Sequence, residues 1–137
     1  MKKIILLLAF SLTGCTTAMY QGERPLSEVA KIISEDTFVK KVDGVSVPYS
    51  GGNYANILVL PGERKLEVYL NKHTGTQSMT SSKPISVYIN AEPGKEYVTS
   101  PVFLGNSRWF PVVKDTSTKK LVQYSEKDKE QLEAESE

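Results

Sequence analysis

Apolar and polar positions alternate with a period of two through most of the chain. Leu66, Val68 and Leu70 stand against Lys65, Glu67 and Tyr69, and Ile85, Val87 and Ile89 stand against Ser86, Tyr88 and Asn90. Successive strand side chains point to opposite faces, so each run reads as a half-buried β-strand. The same reasoning predicts strands over 38–42, 45–47, 57–60, 97–103, 109–113 and 121–124, separated by Asp43-Gly44, Pro61-Gly62, Pro93-Gly94 and the polar turn 114–120. In a Pro-Gly pair the proline presets φ and the glycine supplies the positive φ of a type II turn, so Gly62 and Gly94 are expected there. Such turns splay a two-residue hairpin, which predicts longer loops of four or five residues at these points. No stretch sustains apolar residues at helical spacing. The only helix candidate is 26–33, where Ser27 could cap, and so short a helix competes with a β-edge or a single helical turn.

Seven to eight short strands between residues 25 and 125 predict an all-β domain, a small antiparallel β-sandwich, with a small β-barrel as the alternative. Its expected core contains Val39, Leu58, Leu66, Val68, Leu70, Ile85, Val87, Ile89, Val98 and Val112. Placing Val68 opposite Val87 sets Leu66 against Ile89 and Leu70 against Ile85 on the inner face, and leaves Tyr69 and Tyr88 on the outer one. With Asn90 facing Tyr97 across the next hairpin, Tyr69, Tyr88 and Tyr97 form an expected exposed aromatic strip, the candidate contact surface. Of the neighbours Trp109 and Phe110, one ring is expected in the core and the other at an edge.

The two ends of the chain break the alternation. Lys2 and Lys3 precede the apolar run Ile4 to Leu12, the layout of a secretory signal peptide over residues 1–14. A spanning helix needs roughly 20 apolar residues, about twice this run, so a transmembrane reading fails on length. Residues 15–24 are small and polar and read as a tether. Residues 126–137 carry six acidic and two basic side chains with only Leu132 and Ala134 apolar, so a charged, disordered tail or a frayed helix is expected there.

Composition mainly excludes. A mean hydropathy of −0.29 suits a water-soluble body. One cysteine permits no internal disulfide, one histidine permits no multi-histidine metal site, and a net charge of +1 offers no field for nucleic acid. His73 sits in the polar segment 71–78, and Gly-x-Ser-x-Gly, phosphate-cradling and calcium-loop motifs are absent from the sequence. The carboxylates at 28, 35, 36, 43, 63, 67, 92, 96 and 115 fall in turns or at outward strand positions. No catalytic residue, metal ligand or cofactor is therefore expected, and a small envelope hydrolase stands as the rival reading to a binding module.

The ending Leu12-Thr13-Gly14-Cys15 resembles the lipobox of bacterial lipoproteins. The resemblance implies cleavage between Gly14 and Cys15, a diacylglyceryl thioether on Cys15 and acylation of its new amino group, which together anchor the chain to a membrane. In a Gram-negative host the family's sorting rule retains Asp-bearing lipoproteins in the inner membrane, so Thr16 implies the outer membrane and a domain facing the periplasm.

A second resemblance covers roughly residues 20 to 115. The segments Tyr20-Gln21-Gly22 with Pro25-Leu26-Ser27-Glu28-Val29-Ala30, then Val42-Asp43-Gly44, then Leu60-Pro61-Gly62 leading to Leu66-Glu67-Val68, resemble a group of small bacterial lipoproteins. The last of these is also similar to the PEGA-type β-sandwich, itself close in outline to transthyretin-like domains. The resemblance implies a non-catalytic envelope module contacting an envelope protein or cell-wall partner, or a passive surface or stress lipoprotein.

Overall fold

The computed structural model describes residues 16–48, 56–105 and 108–135. The expected signal peptide and Cys15 lie outside them. The chain runs β1 (Thr16–Ala18), a 3-10 turn (Leu26–Glu28), β2 (Ala30–Ser34), β3 (Thr37–Val42), β4 (Val45–Ser46), β5 (Asn56–Val59), β6 (Gly62–Thr74), β7 (Gln77–Thr80), β8 (Ile85–Ala91), β9 (Glu96–Phe103), β10 (Trp109–Asp115), β11 (Gln123–Tyr124) and α1 (Glu126–Glu135).

The strands form two sheets that do not close into a barrel, in the orders β1-β5-β2-β9-β10 and β11-β8-β6-β3-β4, with β7 paired to β6. This is an all-β sandwich, largely antiparallel, with parallel pairing of β1 to β5 and of β2 to β9. Between the sheets lie Ile32, Val39, Ile57, Val59, Leu66, Val68, Val87, Ile89, Tyr97 and Val113, with Trp109 packed at the margin. A single buried hydroxyl pair bridges the layers: Thr37 and Thr99 stand 2.7 Å apart, and Thr37 also donates to the Thr99 carbonyl at 3.2 Å.

The Pro-Gly turns do not close hairpins. At Pro61-Gly62 the chain passes from β5 in one sheet to β6 in the other, and at Pro93-Gly94 it passes from β8 back to β9. Both glycines hold the expected positive φ, 114° and 79°. The first crossover is tied by Arg64, whose Nε and Nη2 donate to the carbonyls of Leu60 and Pro61 at 2.8 Å each. Its Nη1 meets Asp43 Oδ2 at 2.8 Å, while Asp43 Oδ1 accepts the Lys65 amide, which fastens the β3–β4 turn to the same corner. At the second, Lys95 N donates to Glu92 O and Gly94 N to Val29 O. Tyr97 then reaches back from the core so that its hydroxyl accepts the Glu92 amide at 3.0 Å.

Several expectations are corrected. The segment 26–33 contains no α-helix: one 3-10 turn precedes β2, which is a central strand because β5 and β9 both pair with it. Residues 16–18, placed in the tether, are strand β1, and Met19 N continues to Leu58 O at 2.9 Å. The polar segment 71–78 is mostly strand, because β6 runs on into a tight hairpin at Gly75-Thr76. The return strand carries two extra residues where Ser81 Oγ accepts the Leu70 amide. Leu66 therefore faces Val87, and Val68 faces Ile85, two residues away from the expected register. An even shift keeps every side chain on its face, so the inner set survives. Leu58 and Val98 are only half-buried, because Ile57, Val59, Tyr97 and Thr99 occupy the inward positions of β5 and β9; Ile85 is half-buried at its strand end.

The charged tail is α1 over residues 126–135. Its start is a reciprocal cap, with Asp128 N donating to Ser125 Oγ at 3.2 Å while Asp128 Oδ2 accepts Ser125 N and Oγ. Capping and good helix formers build the helix without an apolar stripe. Just before it, Gln123 covers the open edge of β10: its Oε1 accepts the Val113 amide and its Nε2 donates to the Pro111 carbonyl.

Asp115 organises the turn between β10 and β11. Oδ1 accepts the Ser117 hydroxyl and the amides of Ser117 and Thr118, and Oδ2 pairs with Lys95 Nζ at 3.3 Å. The Ser117 hydroxyl and amide bonds, above all, hold its carboxyl at about 2, below the ordinary 3.8. A depressed carboxylate contributes stability that is present above its ordinary pKa and is lost as pH falls from there to about 2. Denaturant unfolding across this interval is expected to show the loss in the native chain and a visibly smaller one in Asp115→Asn.

Candidate functional site

The sandwich has two open ends, and each carries a cleft. Strand direction separates them. β6 and β7 continue past the sheet as one projecting hairpin, 71–80, and β9 and β10 as another, where Phe103 pairs with Trp109. Thr37 pairs with Leu70 and bonds Thr99, so both hairpins leave from the same end. Between them lies a cleft of about 780 Å³ lined by Leu70, Met79, Lys83, Phe103, Arg108 and Trp109, among others. Lys72 Nζ sits 5.2 Å above the Phe103 ring and joins the two hairpins through a cation–π contact. The other end holds a smaller cleft of about 360 Å³, walled by Met19, Tyr20, Val42, Val45, Pro48 and Leu60, with the Asp43–Arg64 pair at its side. Every guanidinium nitrogen of Arg64 is already bonded, so this cleft offers mainly apolar contact.

The expected tyrosine strip does not assemble. Tyr97 is only 2% exposed and lies in the core, because β9 joins the opposite sheet from β8 and turns Tyr97 and Thr99 inward. Burial pushes its phenol up from the ordinary value. Tyr88 does face outward, but Tyr124 of β11 stacks on it at 5.7 Å and leaves it 6% exposed. Tyr69 is half-buried under Phe38, with ring centres 5.1 Å apart, and Lys40 over its face. The strip failed because Asn90 and Tyr97 were assumed to face one another across a hairpin, whereas the turn between them is a crossover.

His73 is exposed on β6 and paired in register with Ser78 of β7. The carboxylates are spread across the body. Glu96 meets Lys31 at 3.9 Å, Glu63 accepts the Tyr124 hydroxyl at 2.7 Å, and Asp115 serves its turn. Among the described residues neither cleft is lined by two carboxylates, and no three of His, Cys, Asp and Glu lie close enough to share a metal ion. Cys15 and Gly14 lie outside the described residues, and Thr16 opens β1 opposite Asn56. Trp109 is half-buried against the core and Phe110 is exposed at the hairpin edge.

Sequence reasoning missed both clefts. The Met79 and Phe103 hairpins were legible only as turns, and an apolar residue becomes a surface feature only once its strand is known to outrun the sheet. Comparison with known protein families, curated proteins and solved structures found no match.

Serine substitutions separate the three tyrosines. Tyr97→Ser is expected to cost about 3–5 kcal/mol in denaturant unfolding, as for a buried aromatic truncation, and Tyr69→Ser no more than about 1 kcal/mol.

Proposed function

We propose that the protein is a lipid-anchored cell-envelope module that binds or assembles with an envelope protein or cell-wall component and performs no catalysis. The observation that carries the reading is the sequence Leu12-Thr13-Gly14-Cys15, placed one residue before the first strand. Thioether lipidation at Cys15 and acylation of its amino group supply chains worth about 0.8 kcal/mol per buried methylene, enough in combination for a lasting anchor. Thr16 favours the outer membrane, with the domain in the periplasm. Because β1 leads away from Cys15 towards Met19, the smaller cleft is the one presented to the envelope space. Its size suits one apolar side chain of a partner.

Replacing Cys15 by Ala is expected to abolish palmitate incorporation and leave the precursor uncleaved; normal acylation and processing of the variant would remove the basis of the proposal. Thr16→Asp is expected to shift the protein towards the inner membrane of a Gram-negative host. For the partner-facing cleft, a photo-reactive residue at Val45, which is 61% exposed, is expected to give one discrete adduct in intact cells. The same probe at Lys40, on the outer face, is expected to give none.

A further inference from the structure

We propose that the end bearing the two projecting hairpins docks on the lipid surface, with the tip of β9 and β10 seated at the headgroup boundary and the basic side chains beside it holding anionic headgroups. This rests on the anchored reading above, since Cys15 brings the membrane to that end.

The strand registers carry the geometry. Thr16 lies opposite Asn56, Ile57 opposite Ile32, and Ile32 opposite Tyr97. Thr16 therefore stands at about the level of Val98, and Cys15 is its covalent neighbour, one Cα step of about 3.8 Å away. The β1 direction, reversed from Ala18 to Thr16, points to the end where β9 finishes. From Val98, β9 runs five more residues to Phe103, about 16 Å along the strand. Sheet twist across the three intervening strand steps shortens that reach towards a bilayer and leaves the end unchanged. An acyl chain on Cys15 and the tip of this hairpin must then approach the same surface.

The chemistry of the tip fits that surface. Val102, Phe103, Leu104 and Phe110 are all exposed, with Leu104 at 52% and Phe103 at 39%. Met79, on the neighbouring hairpin, adds to the patch. Lys72, Lys83 and Arg108 surround these apolar groups. The sequence from residue 68 to 91 and from 97 to 114, which includes both hairpins, contains no Asp or Glu. The nearest acidic turn, Glu35-Asp36, is set back from the tips, since the Asp36 carbonyl binds the Asn71 amide at the root of the β6–β7 hairpin. The acidic helix α1 packs on β8. Exposed apolar side chains ringed by cations and free of carboxylates are what an anionic interface attracts, about 1 kcal/mol coming from each Lys or Arg near the surface. A protein partner with an acidic rim would satisfy the charge, but it would not explain why the anchored residue lies at this end.

The test uses the processed, lipidated protein reconstituted into vesicles of phosphatidylethanolamine and phosphatidylglycerol. With Cys15 capped by lipid, Leu104→Cys and Val45→Cys each provide a single free thiol for a nitroxide, one at each end of the sandwich. Both sites are exposed outside the core, so neither substitution threatens folding. The label at 104 is expected to be reached by oxygen dissolved in the lipid and shielded from a water-soluble nickel chelate, while the label at 45 shows the opposite. Changing Lys72, Lys83 and Arg108 together to Glu is expected to return the 104 label to water without releasing the protein from the vesicles. A 104 label open to the nickel chelate on protein that floats with vesicles would overturn the docking and leave the anchor standing. A label shielded from both reagents would mean a protein covers the tip, which also overturns it. Processed protein that carries no lipid and does not float would remove the anchor reading, and the docking with it.

Discussion

Two sheets that share no ladder are held in one body by where the chain crosses between them, and Tyr97 governs the decisive crossing. Its ring fills the interior while its hydroxyl accepts the Glu92 amide. That bond folds the Glu92–Lys95 turn back over the start of β9, so the strand leaves β8 behind and enters the other sheet beside β2. A tyrosine can do this because its body is apolar and its tip polar, which lets one side chain belong to the core and to a turn at once. Arg64 does related work at the other crossover, reaching three backbone and side-chain acceptors from the first turn of β6. The Thr37 and Thr99 hydroxyls meet where β2 hands the chain to β3, and they mutually satisfy two polar groups that burial would otherwise leave costly.

Crossovers also decide what the ends look like. Because β6 and β9 are longer than the strands beside them, they run out of the sandwich together, and their surplus length becomes the two hairpins. Residues that would be core one turn earlier, Phe103 and Leu104 among them, are left in the open. The opposite end is closed more tightly by the Asp43–Arg64 corner, leaving a small apolar recess. The molecule is polar in this sense: β1 points one end towards Cys15 and the other away from it.

Much of the fold was legible as alternation. The inner faces of β3, β6 and β8 were readable because Val39, Leu66, Val68, Val87 and Ile89 alternate with polar residues, and a two-residue slip in register left those faces intact. The glycines of both Pro-Gly turns were readable because only backbone conformation was at stake. Sheet membership was not legible, since a turn between two strands looks the same in sequence whether the strands pair or part. That one ambiguity put Val98 inside and Tyr97 outside, and with them the proposed strip. β1 escaped notice because three small polar residues owe their strand to β5 rather than to their own propensity. The clefts were invisible for the same reason, being products of strand length relative to neighbours.

The placement of β9 between β2 and β10 underlies the core, the position of Tyr97 and the coincidence of the hairpins with the Cys15 end. Nuclear Overhauser contacts in the isotopically labelled, processed protein read it directly. The account predicts backbone contacts from Tyr97 to Ile32 on one side and to Asp115 on the other, with Thr16 in contact with Asn56. Contacts between the backbones of Asn90 and Tyr97, as in a β8–β9 hairpin, would contradict it.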